Sequence, residues 1–106
     1  MARPLRIELA GGFYHVIAHG NGRLWLFKSD EDRRQLLKLL GACVFKYKVV
    51  VYSFVLMTNH FHLLVETSLP NLSHFMRKIL SDYALYYNLQ YRRRGSGVKW
   101  GRCLTF

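Results

Sequence analysis

The chain has 106 residues, with 16 Lys and Arg against 6 Asp and Glu and a formal net charge of +10. This length leaves room for one hydrophobic core and excludes two separate domains of ordinary size. Because 51% of the residues are hydrophobic, the chain also differs from a disordered segment. The positive charge predicts a polyanionic partner, a nucleic acid or an anionic membrane surface; the alternative is a basic protein without such a partner.

The first half of the chain predicts a strand followed by a helix. Phe13 to Ala18 are mainly aromatic and β-branched residues between glycine-containing turns, which is typical of a strand. Ser29 and Asp32 resemble a capping box, and the acidic residues between them favour a helix start. Apolar residues then recur at helical spacing, so we predict a helix over roughly residues 30 to 45.

The second half predicts a hairpin, a helix and a last strand. Tyr47 to Met57 and His60 to Thr67 are two β-rich runs joined by a short turn. A helix follows over roughly residues 72 to 91, and residues 98 to 106 supply a short strand. This order predicts one domain of the α+β class, a ferredoxin-like split βαβ fold with two helices on one face of an antiparallel sheet. The other face stays open, and open sheet faces often bind nucleic acid.

Two histidines in the second strand of the hairpin form the most informative pattern. Successive side chains of a strand point to opposite faces, so His60 and His62 share the open face while the apolar residues between and after them pack on the helices. Two neighbouring imidazoles can share one divalent metal ion. The alternative is a pair of partly exposed histidines that hold no metal.

Several blocks of the sequence resemble a known family. In chain order they are residues 1–7, Phe13-Tyr14-His15-Val16, Gly20-Asn21, residues 56–67, and Pro70-Asn71-Leu72-Ser73 with Met76-Arg77. With these blocks in the right order, the chain from about Arg3 to Arg102 resembles the single-tyrosine HUH transposases. That family includes small insertion-sequence transposases and the transposase-like proteins associated with bacterial REP repeats.

The resemblance implies DNA transposition through cleavage and transfer of single-stranded or hairpin DNA. In that family two histidines, here His60 and His62, hold a divalent ion, Mg²⁺ or Mn²⁺, that positions the scissile phosphate. A tyrosine hydroxyl attacks the phosphate and forms a phosphotyrosine intermediate. The helix that carries this tyrosine usually follows the last strand. We therefore expect the 106 residues, as a truncated copy or a fragment, to lack the nucleophile and to be inactive alone. A catalytically inactive nucleic-acid-binding module is the alternative.

Other residues receive narrower predictions. Tyr91 is the fallback nucleophile, although its place before a basic run favours a DNA contact. His15 either lies near the metal or only lines the sheet. Glu66 shares the face of the histidines but lies about 13 Å from His62 along the strand, too far to be a ligand. The predicted phosphate contacts are Arg77, Lys78, Arg92, Arg93, Arg94, Lys99 and Arg102.

Cellular location and assembly are predicted from weaker signals. Cys43 and Cys103 lack paired spacing and are typical of reduced intracellular thiols. The sequence shows neither a signal peptide nor an apolar run long enough to span a membrane. We therefore expect a cytoplasmic protein without a membrane partner. An exposed edge strand leaves the oligomeric state open between a monomer and a homodimer.

Overall fold

A computed structural model describes residues 11–20, 25–91 and 100–105, the last of these by backbone alone. The four strands form one antiparallel sheet in the order β2-β3-β1-β4. Strand β3 lies between β1 and β2, which defines a split βαβ arrangement and confirms the predicted α+β fold. The elements are β1 (Phe13–Gly20), α1 (Asp30–Tyr47), β2 (Val49–Leu56), β3 (His60–Thr67), α2 (Leu72–Gln90) and β4 (Trp100–Thr105).

The junction between α1 and β2 differs from the prediction. Helix α1 continues to Tyr47, so this residue ends the helix and does not begin the strand. Lys48 then adopts a left-handed backbone with φ of 56°, and its N–H donates to the carbonyl of Val44. Such a cap reverses the chain at once, and β2 begins at Val49. The end of α1 could not be predicted from the sequence, because a left-handed cap is usually glycine or asparagine and here it is Lys48.

The start of α1 has the predicted cap together with an additional contact. The Ser29 hydroxyl oxygen accepts a hydrogen bond from the backbone N–H of Asp32 at 3.4 Å. The Asp32 carboxylate accepts one from the backbone N–H of Lys28 at 2.9 Å. Asp32 is only 1% exposed, so this carboxylate is part of the interior as well as of the cap.

One face of the sheet packs on both helices. Alternate residues of β1 and β3 lie in the core, as the strand pattern predicted, and α2 contributes the largest side chains. The hydroxyls of Tyr83 and Tyr87 donate to the backbone carbonyls of Leu26 and Trp25, so α2 also holds the loop before α1. The strand and α2 residues of the core are Tyr14, Val16, Ala18, Val49, Phe61, Leu63, Val65, Leu72, Phe75, Met76, Ile79, Tyr83 and Tyr87.

Cys43 is a free thiol on the buried side of α1. Burial is the main cause that raises the pKa of this thiol, and Asp82 adds to the effect. A buried thiol with a raised pKa is chemically inert, since the thiolate is the reactive form. Within the described ranges, neither helix combines the length and apolarity that crossing a bilayer requires.

Candidate functional site

Four histidines come together on the open face of the sheet. His60 and His62 share this face, as predicted, with ring centroids 5.1 Å apart. The pairing of β1 with β3 adds two neighbours: His15 stacks on His62 at 5.2 Å, and His19 stacks on His60 at 4.8 Å. His15 therefore lies directly beside His62 of the predicted metal pair.

The hydrogen bonds of the pair fit two metal ligands. The Nδ1 of His60 lies 2.8 Å from the side-chain oxygen of Asn59, so this nitrogen carries the proton and donates. The Nδ1 of His62 lies 3.1 Å from Nε2 of His15, and the proton can sit between these two rings. In metal sites a histidine typically donates its second N–H to such a partner, which leaves the other nitrogen with a lone pair. Here that nitrogen is Nε2 of His60, and it is also Nε2 of His62 in the tautomer in which Nδ1 of His62 donates to His15.

The surroundings keep the pair neutral. Burial lowers the pKa of His60, and the nearby His19 lowers it further. Burial also lowers the pKa of His62, with smaller contributions from His60 and His15. Neutral imidazole is the form that binds a metal, since the protonated ring has no lone pair to give.

The pair is an incomplete ligand set. Among the side chains described, no cluster of three His, Cys, Asp or Glu residues could hold a metal ion. Imidazole ligands alone do not select Mg²⁺ or Mn²⁺, which prefer oxygen. The two histidines therefore fit an open site whose other ligands would be water or phosphate oxygens.

Hydrogen bonds from the loop at residues 25–27 hold the turn before β3 in place. The carbonyl of Thr58 accepts hydrogen bonds from the backbone N–H groups of Leu26 and Phe27 at 2.9 and 3.2 Å. The carbonyls of Leu26 and Trp25 are in turn the acceptors for the hydroxyls of Tyr83 and Tyr87. This connection gives the buried α2 tyrosines Tyr83 and Tyr87 a role in placing His60.

The structure does not bring Tyr91 to the histidines. Its hydroxyl donates to Asp32 at 2.5 Å, on the side of the sheet that the helices cover. Burial and this hydrogen bond raise the pKa of Tyr91 to about 12. The hydroxyl of Tyr86 donates to the same carboxylate at 2.7 Å. Tyr91 is therefore a structural donor across the sheet from the pair, and the geometry gives no support to it as a fallback nucleophile.

One tyrosine does reach the open face, and the sequence patterns did not indicate it. Tyr52 is 54% exposed, and its hydroxyl donates to Glu66 at 2.6 Å. Glu66 follows His62 by four residues, roughly 13 Å along an extended strand. The four tyrosines at the C-terminal end of α2 and just after it, Tyr83, Tyr86, Tyr87 and Tyr91, donate instead to Leu26, Trp25 and Asp32.

The predicted phosphate contacts fall in three places. Arg77 and Lys78 are exposed on α2, which covers the opposite face of the sheet from the histidines, and Lys78 pairs with Asp82 at 3.2 Å. The basic residues and net charge that predicted phosphate contacts here gave no information on the side of the sheet on which they lie. Arg102 occupies the register position opposite His19. Arg92, Arg93, Arg94 and Lys99 lie outside the described residues.

A sequence comparison identifies the class of protein to which this fold belongs, a DNA transposase domain. A family model described as "Transposase IS200 like" matches residues 10–104. The chain therefore belongs to the family of IS200-like transposases. No curated protein sequence matches it.

Two solved structures share the fold over the whole chain. One is a REP-associated tyrosine transposase bound to a REP hairpin, with a TM-score of 0.78 and 13% identity; the match covers 100% of this chain and 61% of that one. The other is a protein of Deinococcus radiodurans R1 described as a candidate transposase, with a TM-score of 0.72 and 16% identity; 99% of this chain and 85% of that one are covered. The present chain thus spans about three fifths of the length of the REP-associated enzyme.

Proposed function

We propose that this domain binds single-stranded or hairpin DNA and holds Mg²⁺ or Mn²⁺ for strand cleavage and transfer in DNA transposition. The observation that carries the proposal is the His60 and His62 pair, the HUH motif of the sequence, on an open sheet face; Nε2 of His60 has a free lone pair, and Nε2 of His62 has one when Nδ1 of His62 donates to His15. A hairpin partner is supported by the REP hairpin bound to a structural relative. The formal charge of +10 favours such a polyanion.

Each residue of the site has a distinct task in this proposal. His60 and His62 would hold the ion, Asn59 fixes the tautomer of His60, and His15 orients His62. A bound divalent ion supplies positive charge that stabilises the phosphate during in-line attack. The open face admits a single strand, because neither helix covers it.

The attacking hydroxyl comes from outside these 106 residues in the proposed reaction. The hydroxyls of Tyr83, Tyr87 and Tyr91 donate to Leu26, Trp25 and Asp32, and that of Tyr52 donates to Glu66. A tyrosine on a further segment or on a second polypeptide would attack the phosphorus, form a phosphotyrosine bond and release a 3′-hydroxyl on the DNA. The phosphotyrosine bond keeps the energy of the broken phosphodiester bond, which permits later transfer of the DNA strand to another 3′-hydroxyl.

The formal charge of +10 and the open sheet face favour a second candidate function, a DNA-binding module without catalysis. Such a module would use the charge and the open face, and the histidines would have no metal to hold. The two candidates differ in one measurable property, because only the first makes phosphate binding at His60 and His62 depend on a divalent ion.

The test is a binding measurement with hairpin DNA carrying a single-stranded tail, with and without Mn²⁺. Titration of the chain with Mn²⁺ comes first, because a ligand pair gives a binding isotherm that His60→Ala abolishes. We expect Mn²⁺ to tighten DNA binding to the natural chain and to have no effect on the His60→Ala variant. His74→Ala is the matched control, since His74 is an exposed histidine on α2.

The outcomes separate the candidates. Tight hairpin binding that Mn²⁺ leaves unchanged would favour the module without catalysis. Failure to bind hairpin or single-stranded DNA at low salt would refute both. For the cleavage step, a longer chain that adds a tyrosine-bearing helix should form a covalent adduct with labelled DNA in Mn²⁺, and the 106 residues alone should not.

A cytoplasmic location and a homodimer are further parts of the proposal. Strand β2 lies at the edge of the sheet, and Val50 and Val55 on it are about half exposed, at 48% and 50%. Edge strands can pair with a second copy, so β2 would be the contact in a homodimer. Sedimentation of the chain with and without DNA measures this directly.

A further inference from the structure

The open face carries a second group of side chains at the end of the sheet away from His60. Phe13 in β1 and Tyr52 in β2 are 62% and 54% exposed. Their ring centroids are 5.8 Å apart, with planes inclined by 31°. Glu66 in β3 lies opposite Phe13 in register and accepts the hydrogen bond from Tyr52. We refer to Phe13, Tyr52 and Glu66 as the aromatic-carboxylate cluster.

A backbone irregularity places Tyr52 in this cluster. The pairing of β2 with β3 shifts register between Val51 and Ser53, so Tyr52 has no residue directly opposite it. A β-bulge of this kind leaves one residue unpaired and redirects its side chain. Here the side chain is directed towards Glu66, and a large ring stays in solvent on the same face as the histidines. Bulges are common beside functional sites, where they aim a particular side chain.

The exposed aromatic rings and the carboxylate of the cluster indicate which kind of ligand it can bind. Exposed aromatic rings provide stacking surfaces for nucleobases in proteins that bind single strands. Glu66 is a negative charge on a domain of net charge +10, so it repels a phosphate but accepts hydrogen bonds from a base edge. The Tyr52 hydroxyl donates to Oε1 of Glu66, and each carboxylate oxygen can accept two hydrogen bonds. Both oxygens of Glu66 can therefore accept a further hydrogen bond from a ligand.

We propose that the aromatic-carboxylate cluster binds one unpaired guanine of the DNA strand, an inference that rests on the proposed function. Guanine has two adjacent N–H donors on its Watson–Crick edge, at N1 and at the N2 amino group, which match the two oxygens of a carboxylate. Cytosine and adenine offer an amino group beside a ring acceptor, and thymine offers one N–H between two carbonyls. Glu66 therefore distinguishes guanine from the other bases while the rings of Phe13 and Tyr52 stack on it.

The spacing on β3 determines where this guanine lies. Glu66 is four residues from His62, about 13 Å along the strand. A phosphate held at the histidine pair and a base held at the cluster therefore belong to different nucleotides of one strand. The cluster would thus read sequence a short distance from the bound phosphate, and it would fix the register of the DNA on the sheet.

The test measures affinity for a series of short single strands. A fluorescent thymine oligonucleotide of about twelve nucleotides, within the range of known single-strand sites, receives one guanine at each position in turn. A second series carries hypoxanthine in place of guanine, which keeps the N1 donor and lacks the amino group. We expect guanine at one position to tighten binding by about fivefold or more over thymine, and hypoxanthine to lose most of that gain.

Variants of the cluster test the hydrogen bonds of the carboxylate and the stacking on the rings separately. Glu66→Gln should abolish the guanine preference and leave affinity for the thymine strand unchanged or slightly higher. Phe13→Leu should weaken binding of every strand by about fivefold, because it removes a stacking surface. Phe45→Leu is the matched control, since Phe45 is 90% exposed on α1 and lies on the helix-covered side. Circular dichroism of each variant verifies that the fold is retained.

Each outcome decides the inference. A guanine preference that Glu66→Gln removes would support it. Equal affinity for all strands, with binding intact, would overturn the guanine site and leave the proposed DNA-binding function in place. A preference that survives Glu66→Gln, or equal losses for Phe13→Leu and Phe45→Leu, would also overturn it. Absence of binding to every strand at low salt would refute the proposed function and this inference together.

Discussion

Replacement of Asp32 by alanine should destabilise the fold strongly. The buried carboxylate accepts hydrogen bonds from the backbone N–H of Lys28 and from the hydroxyls of Tyr86 and Tyr91. A hydrogen bond to a charged group contributes about 1.5 to 3 kcal/mol. The total for three is reduced because both tyrosines are partly exposed and can bind water, and because the cost of burying the carboxylate disappears. We expect a net loss of about 2 to 4 kcal/mol in the free energy of unfolding.

Urea denaturation followed by circular dichroism measures this loss. With a slope of about 1.5 kcal/mol per molar urea, the midpoint should fall by roughly 1.3 to 2.7 M. Tyr86→Phe and Tyr91→Phe should each cost less in the Asp32→Ala background than in the natural chain, because their acceptor is already absent. A loss below about 1 kcal/mol for Asp32→Ala, or equal costs of the tyrosine variants in both backgrounds, would refute the assignment of Asp32 as the common acceptor.

Three further predictions concern the site, the tyrosines and the charge. Asn59→Ala should weaken Mn²⁺ binding at His60 by about tenfold in a calorimetric titration, because the ring loses the acceptor that fixes its tautomer, whereas His74→Ala should not. The pKa of Tyr91 is raised to about 12 from 10, so melting temperatures should fall as pH rises from about 10 to 12, where only the unfolded state ionises; Tyr91→Phe should flatten that fall. Replacing the three arginines at 92–94 by alanine should reduce the salt slope of single-strand binding by about 2, and an unchanged slope would exclude them as phosphate contacts.

The sequence was sufficient to predict the order of elements and the face of the histidine pair. Glycine-rich turns, a capping residue at Ser29 and two periodicities indicate β1, α1 and β3, although the start of β2 was predicted two residues too early. The alternation along β3 depends only on local geometry, so the common face of His60 and His62 follows without knowledge of the partners. These predictions succeed because each rests on residues close together in the chain.

The parts that could not be predicted depend on register between distant strands. His15 and His62 are 47 residues apart, and only the observed pairing of β1 with β3 places them in contact. The bulge at Tyr52 shifts every later pairing in β2, and no residue type in the run Val49–Leu56 marks it. The hydroxyl of Tyr83 donates to Leu26, 57 positions away, and periodicity along α2 gives no information on that partner.

The distances in sequence between the parts of the histidine face also determine when the face can form during folding. The hairpin of β2 and β3 is local and can close early, whereas the contact of His15 with His62 and the tyrosine bonds to the loop at 25–26 span 47 to 62 positions. Closing long loops costs chain entropy before the contacts repay it, so such contacts form late. A partly folded chain would contain the hairpin and both histidines of β3 but would lack the contacts from His15 and His19 of β1. Competence to bind metal and DNA should therefore appear only with the final cooperative step.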